Sequence, residues 1–269
     1  MSTQAVMSST EYKACCTGLY ENEALRFLLG DTWRPGGVEV TRVLASRARF
    51  AEPDLILDLA CGLGESARLI RREYRSLVIG IDLTELNLHR AAARFGEWPR
   101  PGYPPAFVAG DAEGLPFADA SFDAVLAECA LSTFDDKAGA MAEAARTLQT
   151  GGRLCISDVT LDADALPPEL NTLFGRVACL GGALPLNGYL VLVEHAGFEV
   201  EVTLDFQPAA MDFLHSIDRK LLLVRLAQNL KKLDFGGINV VATRNVLRTG
   251  MDLVAAGRLG YVGIVARKL

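Results

Sequence analysis

The sequence predicts an α/β protein built on a doubly wound, seven-stranded sheet. Three observations carry that expectation. Short apolar runs alternate with stretches of helical periodicity through the middle of the chain. The first run breaks at a two-glycine turn, and successive runs end on or beside an acidic residue.

The bulk numbers fit such a fold. Of 269 residues, 50% are hydrophobic and 22% charged, enough apolar surface for a sizeable core and too little charge for wholesale disorder. A net charge of −6 argues against nucleic acid as a partner, because no broad cationic surface is implied. The N-terminal MSTQAVMSSTEYK has neither the basic nor the apolar region of a secretory signal. No apolar segment reaches the roughly 18 to 20 residues of a membrane span, so a cytoplasmic location and no membrane partner are expected. Six cysteines stand at 15, 16, 61, 129, 155 and 179 without a C-x-x-C pair. They are read as thiols in a reducing compartment, with no metal site.

Everything is organised around LILDLACGLGESARLI at 55–70, a strand, a tight turn and a helix. Gly62 and Gly64 let backbone approach a ligand without a Cβ in the way, and the following helix offers unpaired N–H groups. Gly62, Gly64 and Ala67 also fit the dinucleotide pattern G-x-G-x-x-A. Asp58 argues against that reading, since a carboxylate at the strand end repels a pyrophosphate and attracts an ammonium group. S-adenosylmethionine, SAM, carries such a group.

In order, residues 1–10 are polar and frayed, and helices are expected over 21–29 and about 38–49, separated by LGDTWRPGG. That loop, with Gly37 at its end, is read as a cover for the cofactor or as a plain interhelix turn. The second strand, 77–81, closes on Asp82, which suits the grip on a ribose diol, and Thr84 caps a helix to about Phe95. After a proline-rich connection, the third strand, 106–109, leads to Asp111 and Ala112, placed to meet an adenine. The fourth, 122–127, ends at Glu128 and Cys129. A helix from Asp135 or Asp136 to about Leu148 is ended by Gly151 and Gly152, and RLCISDV is the fifth strand, its Ser157 and Asp158 directed to the ligand edge. A covering helix is expected around 169–180, another helix over 190–196, and FEVEVTLDF as the sixth strand. Helices over 213–233 and 240–256 precede the closing strand LGYVGIVARKL. The LLLVRLAQNL stretch of the first is read as a lid, a dimer face or core, which leaves a homodimer open.

Taken as a set, the GxG turn, Asp82, the DA-x-x-LPF segment after the third strand and the glycine-preceded fifth strand resemble class I SAM-dependent methyltransferases, whose sheet is Rossmann-like. The resemblance covers about 55–206. It implies Asp58, Ala60, Gly62 and Gly64 around the methionine part of SAM, Asp82 at the ribose, Asp111 and Ala112 at adenine, and Glu128 with Cys129 at the methyl end, with Leu83 also at the cofactor. It implies N-terminal cap helices over 1–53, a SAM-binding core over 54–206, a helical insertion or lid over 207–258 and a last core strand over 259–269. YKACCTG, ECALSTFDDKAGAMAEAARTLQTGGRLCISDV and ACLGGALPLNGYLVLVEHAGF are further similar, in order and spacing, to arsenite methyltransferases. That likeness implies Cys179 as a ligand of As(III), with Cys15 and Cys16 matching the family's paired N-terminal cysteines. The family's further arsenic-binding cysteine near the C-terminus has no counterpart, because no cysteine follows Cys179.

Methyl transfer is an in-line displacement at a sulfonium carbon, so the protein has chiefly to align the acceptor and exclude water. Thiol-held arsenite brings its own lone pair, and soft thiolates suit a soft metalloid. The bland alternative makes Cys179 a small buried hydrophobe. An oxygen, nitrogen or carbon acceptor would need a base, for which His89, His195 and His215, or Tyr12 and Tyr20, are the candidates. The expected function is SAM-dependent methylation of a small-molecule substrate, arsenite among the acceptors. A SAM- or metalloid-binding sensor without turnover is the alternative from another class.

Overall fold

The structure, a computed structural model, describes residues 11, 13–14, 17–18, 23–95, 103–162, 164–166, 179–229 and 239–269. Cys15, Cys16, Tyr12, Tyr20 and most of the helix expected at 169–180 lie outside these residues.

Seven strands form one sheet in the order β3-β2-β1-β4-β5-β7-β6. They are β1 (Leu55–Leu59), β2 (Leu77–Asp82), β3 (Ala106–Ala109), β4 (Phe122–Glu128), β5 (Leu148–Leu161), β6 (Phe198–Asp205) and β7 (Leu259–Lys268). The first five run parallel, and β7 inserts antiparallel between β5 and β6. The order reverses beside β1, which neighbours both β2 and β4. In open α/β sheets that reversal opens a crevice at the carboxyl ends of the strands.

Eight named helices accompany the sheet among the described residues: α1 (Glu23–Leu29), α2 (Gly37–Arg47), α3 (Glu65–Glu73), α4 (Glu85–Phe95), α5 (Lys137–Thr147), α6 (Leu186–His195), α7 (Gln207–Asn229) and α8 (Val240–Ala255). Because β1 and β4 are buried on both faces, each face needs its own helical cover. Val40 and Leu44 of α2, Ala67 and Ile70 of α3, and Val254 of α8 pack with Ile56, Leu126 and Val265 on one side. Met141 and Ala144 of α5 and Tyr189 and Val193 of α6 pack with Leu57, Val125 and Ile264 on the other.

Some boundaries differ from the sequence expectation, each for a local reason. The glycines after α5 do not end it; Thr147 is its last residue, and β5 begins at Leu148 opposite Phe122. The register shifts between Phe122 and Ala124, so 149–152 form a bulge in which Gly151 takes φ +79°. Helix α6 starts at Leu186, not 190, because Pro185 already holds φ −63° at its N-cap. In α7, which starts at Gln207, Leu221 and Val224 are buried while Leu222, Leu223 and Leu226 are exposed, so the apolar stretch serves both core and surface.

The tips of β4 and β5 are tied by Asp158. Its carboxylate accepts from Ser132 N (2.8 Å), Ser132 Oγ (2.6 Å) and Val159 N (2.7 Å), which fixes the 3-10 turn Leu131–Thr133. Asp158 is fully buried, as is Ser157, whose hydroxyl meets Tyr261 Oη at 2.9 Å, so neither side chain is open to a ligand. Burial outweighs the hydrogen bonds and lifts the Asp158 pKa from 3.8 to about 6. A carboxyl with a raised folded-state pKa binds its proton more tightly folded than unfolded, so its contribution to stability is present below about pH 4 and is lost as pH rises to about 6. Urea unfolding should therefore find wild type losing on the order of 2–3 kcal/mol relative to Asp158→Asn across that window. Parallel pH profiles for the two proteins would contradict this.

Candidate active site

The turn after β1 is built from left-handed residues: Ala60 (φ +53°), Gly62 (φ +52°) and Gly64 (φ +73°). Cys61 N donates to Ile81 O (3.1 Å) and Gly64 N to Cys61 O (2.9 Å), which ties the turn to β2. At Gly64 a Cβ would come within 2.7 Å of Phe107, so both conformation and space exclude a side chain. At Gly62 the space is open, and only the φ favours glycine. Helix α3 begins immediately after, with no side-chain cap on its N-terminus.

Beside this turn lies a cavity of about 150 Å³. Of the residues expected at the cofactor, Ala60, Gly62, Asp82, Leu83, Asp111, Ala112, Glu128 and Cys129 line it, and Asp58, Gly64 and Gly37 do not; nor does Cys179, the expected acceptor thiol. Gly37 instead opens α2 with φ +51°. Thr32, Trp33 and Arg34 of the preceding loop do line the cavity.

Asp82 is held by backbone N–H groups on either side of it. Its Oδ2 accepts from Gly62 N and its Oδ1 from Thr84 N, each at 2.8 Å, leaving further lone pairs able to accept. Burial nonetheless raises its pKa. Asp111 is anchored similarly, through Glu113 N at 2.9 Å, and its other oxygen pairs with Lys13 Nζ at 2.6 Å. Lys13 also reaches Glu113 Oε2 at 2.5 Å and thereby brings an N-terminal helical residue onto the Asp111 side of the cavity.

Glu128 at the tip of β4 is the centre of a buried network. Arg34 Nη2 stands 3.0 Å from Glu128 Oε2 and donates to Thr41 Oγ1 (2.7 Å) and Ser66 Oγ (2.8 Å). Those hydroxyls in turn donate to Glu128, Ser66 at 2.7 Å and Thr41 at 3.0 Å. Burial opposes the Arg34 charge, but Glu128 and its acidic neighbours outweigh that, and the Arg34 pKa is raised.

Asp58 departs from expectation. It is 2% exposed, its Oδ2 has no hydrogen-bond partner, and burial, followed by repulsion from Glu128, pushes its pKa well up. Burial disfavours the charged form of such a carboxyl, and the carboxylates that line the cavity are others, Asp82, Asp111, Glu113 and Glu128 among them.

Cys179 meets Cys129, with their sulfurs 3.3 Å apart. The Cys179 thiol is also 3.4 Å from the Cys129 carbonyl oxygen. The contact with Cys179 and burial raise the Cys129 pKa well above that of a free thiol. His89, His195 and His215 are exposed, and none lines the cavity.

Sequence reasoning missed Lys13, Arg34, Thr41, Ser66 and Glu113. Arg34 stood inside the RPGG segment that was singled out, and Ser66 in the first turn of α3, so position was available as a signal. Their pairing with Glu128 was not.

Residues 57–156 match the family described as a methyltransferase domain. The chain is 35% identical over 183 residues to O-methyltransferase resE of Aspergillus sclerotiorum, an alignment spanning 68% of this chain and 69% of that protein. It is 32% identical over 168 residues to an arsenite methyltransferase of Aquipseudomonas alcaligenes, across 58% of this chain and 47% of that one. The fold is similar to phosphoethanolamine N-methyltransferase 2 of Haemonchus contortus in complex with SAM, with a TM-score of 0.76 at 18% identity over 98% of this chain and 61% of that one. A seven-stranded sheet with its crevice beside the β1 turn, and sequence relatives that include O- and arsenite methyltransferases, identify the chain as a member of the class I SAM-dependent methyltransferases.

Proposed function

We propose that this enzyme transfers the SAM methyl group to a small, soft acceptor at the Cys129 end of the cavity, with thiol-held arsenite or a related metalloid as the acceptor the residues fit best. One observation carries the reading: two thiols 3.3 Å apart adjoin that end, while none of the three histidines lines the cavity. Cys129 would supply the second thiol that the arsenite family draws from its C-terminal region.

The chemistry follows from the groups present. Trivalent arsenite can exchange two hydroxyls for the two sulfurs, each thiol proton leaving with a hydroxyl as water. The Cys129 thiol, its pKa raised by the Cys179 contact and burial, can enter that exchange without first ionising. The bound arsenic keeps its lone pair, so methyl transfer requires no base. SAM, when bound, supplies an electrophilic methyl on a sulfonium. In this reading Asp82 holds the ribose, Asp111, Ala112 and Leu83 the adenine side, and the Ala60–Gly62 turn the methionine part. Trp33 and Phe134, on the cavity wall, keep water from the line of transfer. The O-methyltransferase relative favours a second reading, a small metabolite with an oxygen acceptor.

Asp82→Asn keeps one acceptor oxygen but removes the charge, and SAM affinity measured by calorimetry should fall roughly tenfold to hundredfold. An unchanged affinity would remove Asp82 from the cofactor site. Incubation with labelled SAM, arsenite and a thiol should yield methylated arsenic, and Cys129→Ser or Cys179→Ser should each lower kcat/KM by roughly a hundredfold or more. Label appearing on a phenolic acceptor and not on arsenic would favour the second reading. Tight SAM binding with no product from any acceptor would favour a sensor.

A further inference from the structure

Cys129 and Cys179 are set apart from Cys61 and Cys155, the other thiols among the described residues, by two features. Their sulfurs are in contact, and both residues hold left-handed backbones, φ +52° and φ +65°. Such a conformation is strained for any residue with a Cβ, and here the strain falls on both members of one pair. Closing their sulfurs from contact to a bond of about 2.05 Å asks for a movement of roughly 1 Å.

What the pair joins matters as much as its spacing. Cys129 lines the cavity at the tip of β4. Cys179 begins the 179–184 segment, whose far end is fixed to β5 through the Thr160–Leu184 bridge and Leu161 N to Leu184 O at 3.2 Å. Between them Gly182 lies directly on the 3-10 turn, where a Cβ would come within 2.1 Å of the Ser132 carbonyl oxygen. Neighbouring Thr133 and Phe134 line the cavity. A second anchor at Cys179 would therefore clamp the segment at both ends against the wall of the site.

We propose that Cys129 and Cys179 form a reversible disulfide that locks the 179–184 segment over the acceptor end of the cavity. The oxidant is a small-molecule disulfide. Cys129, reached through the cavity, gives up its proton and its sulfur attacks one sulfur of that disulfide, and the expelled thiolate takes up a proton. The Cys179 sulfur then displaces the second thiolate from Cys129, and the Cys179 proton goes to it. The two cysteines are oxidised by two electrons and the small disulfide is reduced to two thiols.

The test uses the full chain, oxidised glutathione at mildly alkaline pH, alkylation without reduction, and tryptic mass mapping. Lys137 and Arg176 lie between the two cysteines, so trypsin places them in separate peptides. The expected product is one cross-linked peptide pair, lighter by two hydrogens than the sum of its reduced parts. Release of pre-bound labelled SAM should slow by roughly tenfold in the oxidised protein and recover with a reductant. Cys179→Ser and Cys179→Ala, checked for a native thermal transition, should show neither effect. Recovery of both cysteines as alkylated residues or as separate glutathione adducts would overturn the proposal, and so would a cross-link that leaves SAM release unchanged. No methyl acceptor enters the assay, so its outcome is independent of whether arsenite is the substrate.

Discussion

The buried ion pair of Arg34 and Glu128 is the constraint on which the site depends. Glu128 belongs to β4, Arg34 to the loop before α2, Thr41 to α2 and Ser66 to α3, and all four meet within hydrogen-bonding distance. A charge removed from water is tolerated only when paired and hydrogen-bonded, and loss of one partner of such a pair costs about 3–5 kcal/mol. The network thus holds the covering loop to the sheet as a geometric requirement. It also fixes the glutamate side chain on the wall of the cavity.

Around that pair the cavity is predominantly acidic. Asp82, Asp111, Glu113 and Glu128 line it, while Arg34 and Lys13 are already engaged with carboxylates. A ligand with net positive charge is favoured by such walls, and a pyrophosphate is not. Asp58 is not among the residues that line the cavity. Asp58 lies within a strand buried on both faces, where desolvation dominates.

The sheet was legible because its parallel strands are short apolar runs bounded by turns, and the carboxylates of Asp82, Asp111 and Glu128 could be placed because strand ends face the crevice. Element starts were less legible. Leu148 suits the end of a helix or the start of a strand equally, and only its pairing with Phe122 decides between them. Contacts between distant segments were not legible at all. Lys13 and Asp111 are 98 residues apart, and a basic residue in a loop carries no mark of whether it will be buried. Cys179 was singled out in sequence, but its observed partner, Cys129, is 50 residues away, on the tip of a strand.

A double-mutant cycle on SAM affinity tests most directly whether the Arg34–Glu128 pair builds the cofactor cavity. Arg34→Met, Glu128→Gln and the double variant would be compared with wild type by calorimetry, each with its thermal transition as a control for folding. If the pair positions loop and strand together, each single change weakens SAM binding and the double variant loses less than the sum, with a coupling of at least about 1.5 kcal/mol. Folded single variants that bind SAM as tightly as wild type, or losses that simply add, would contradict the account.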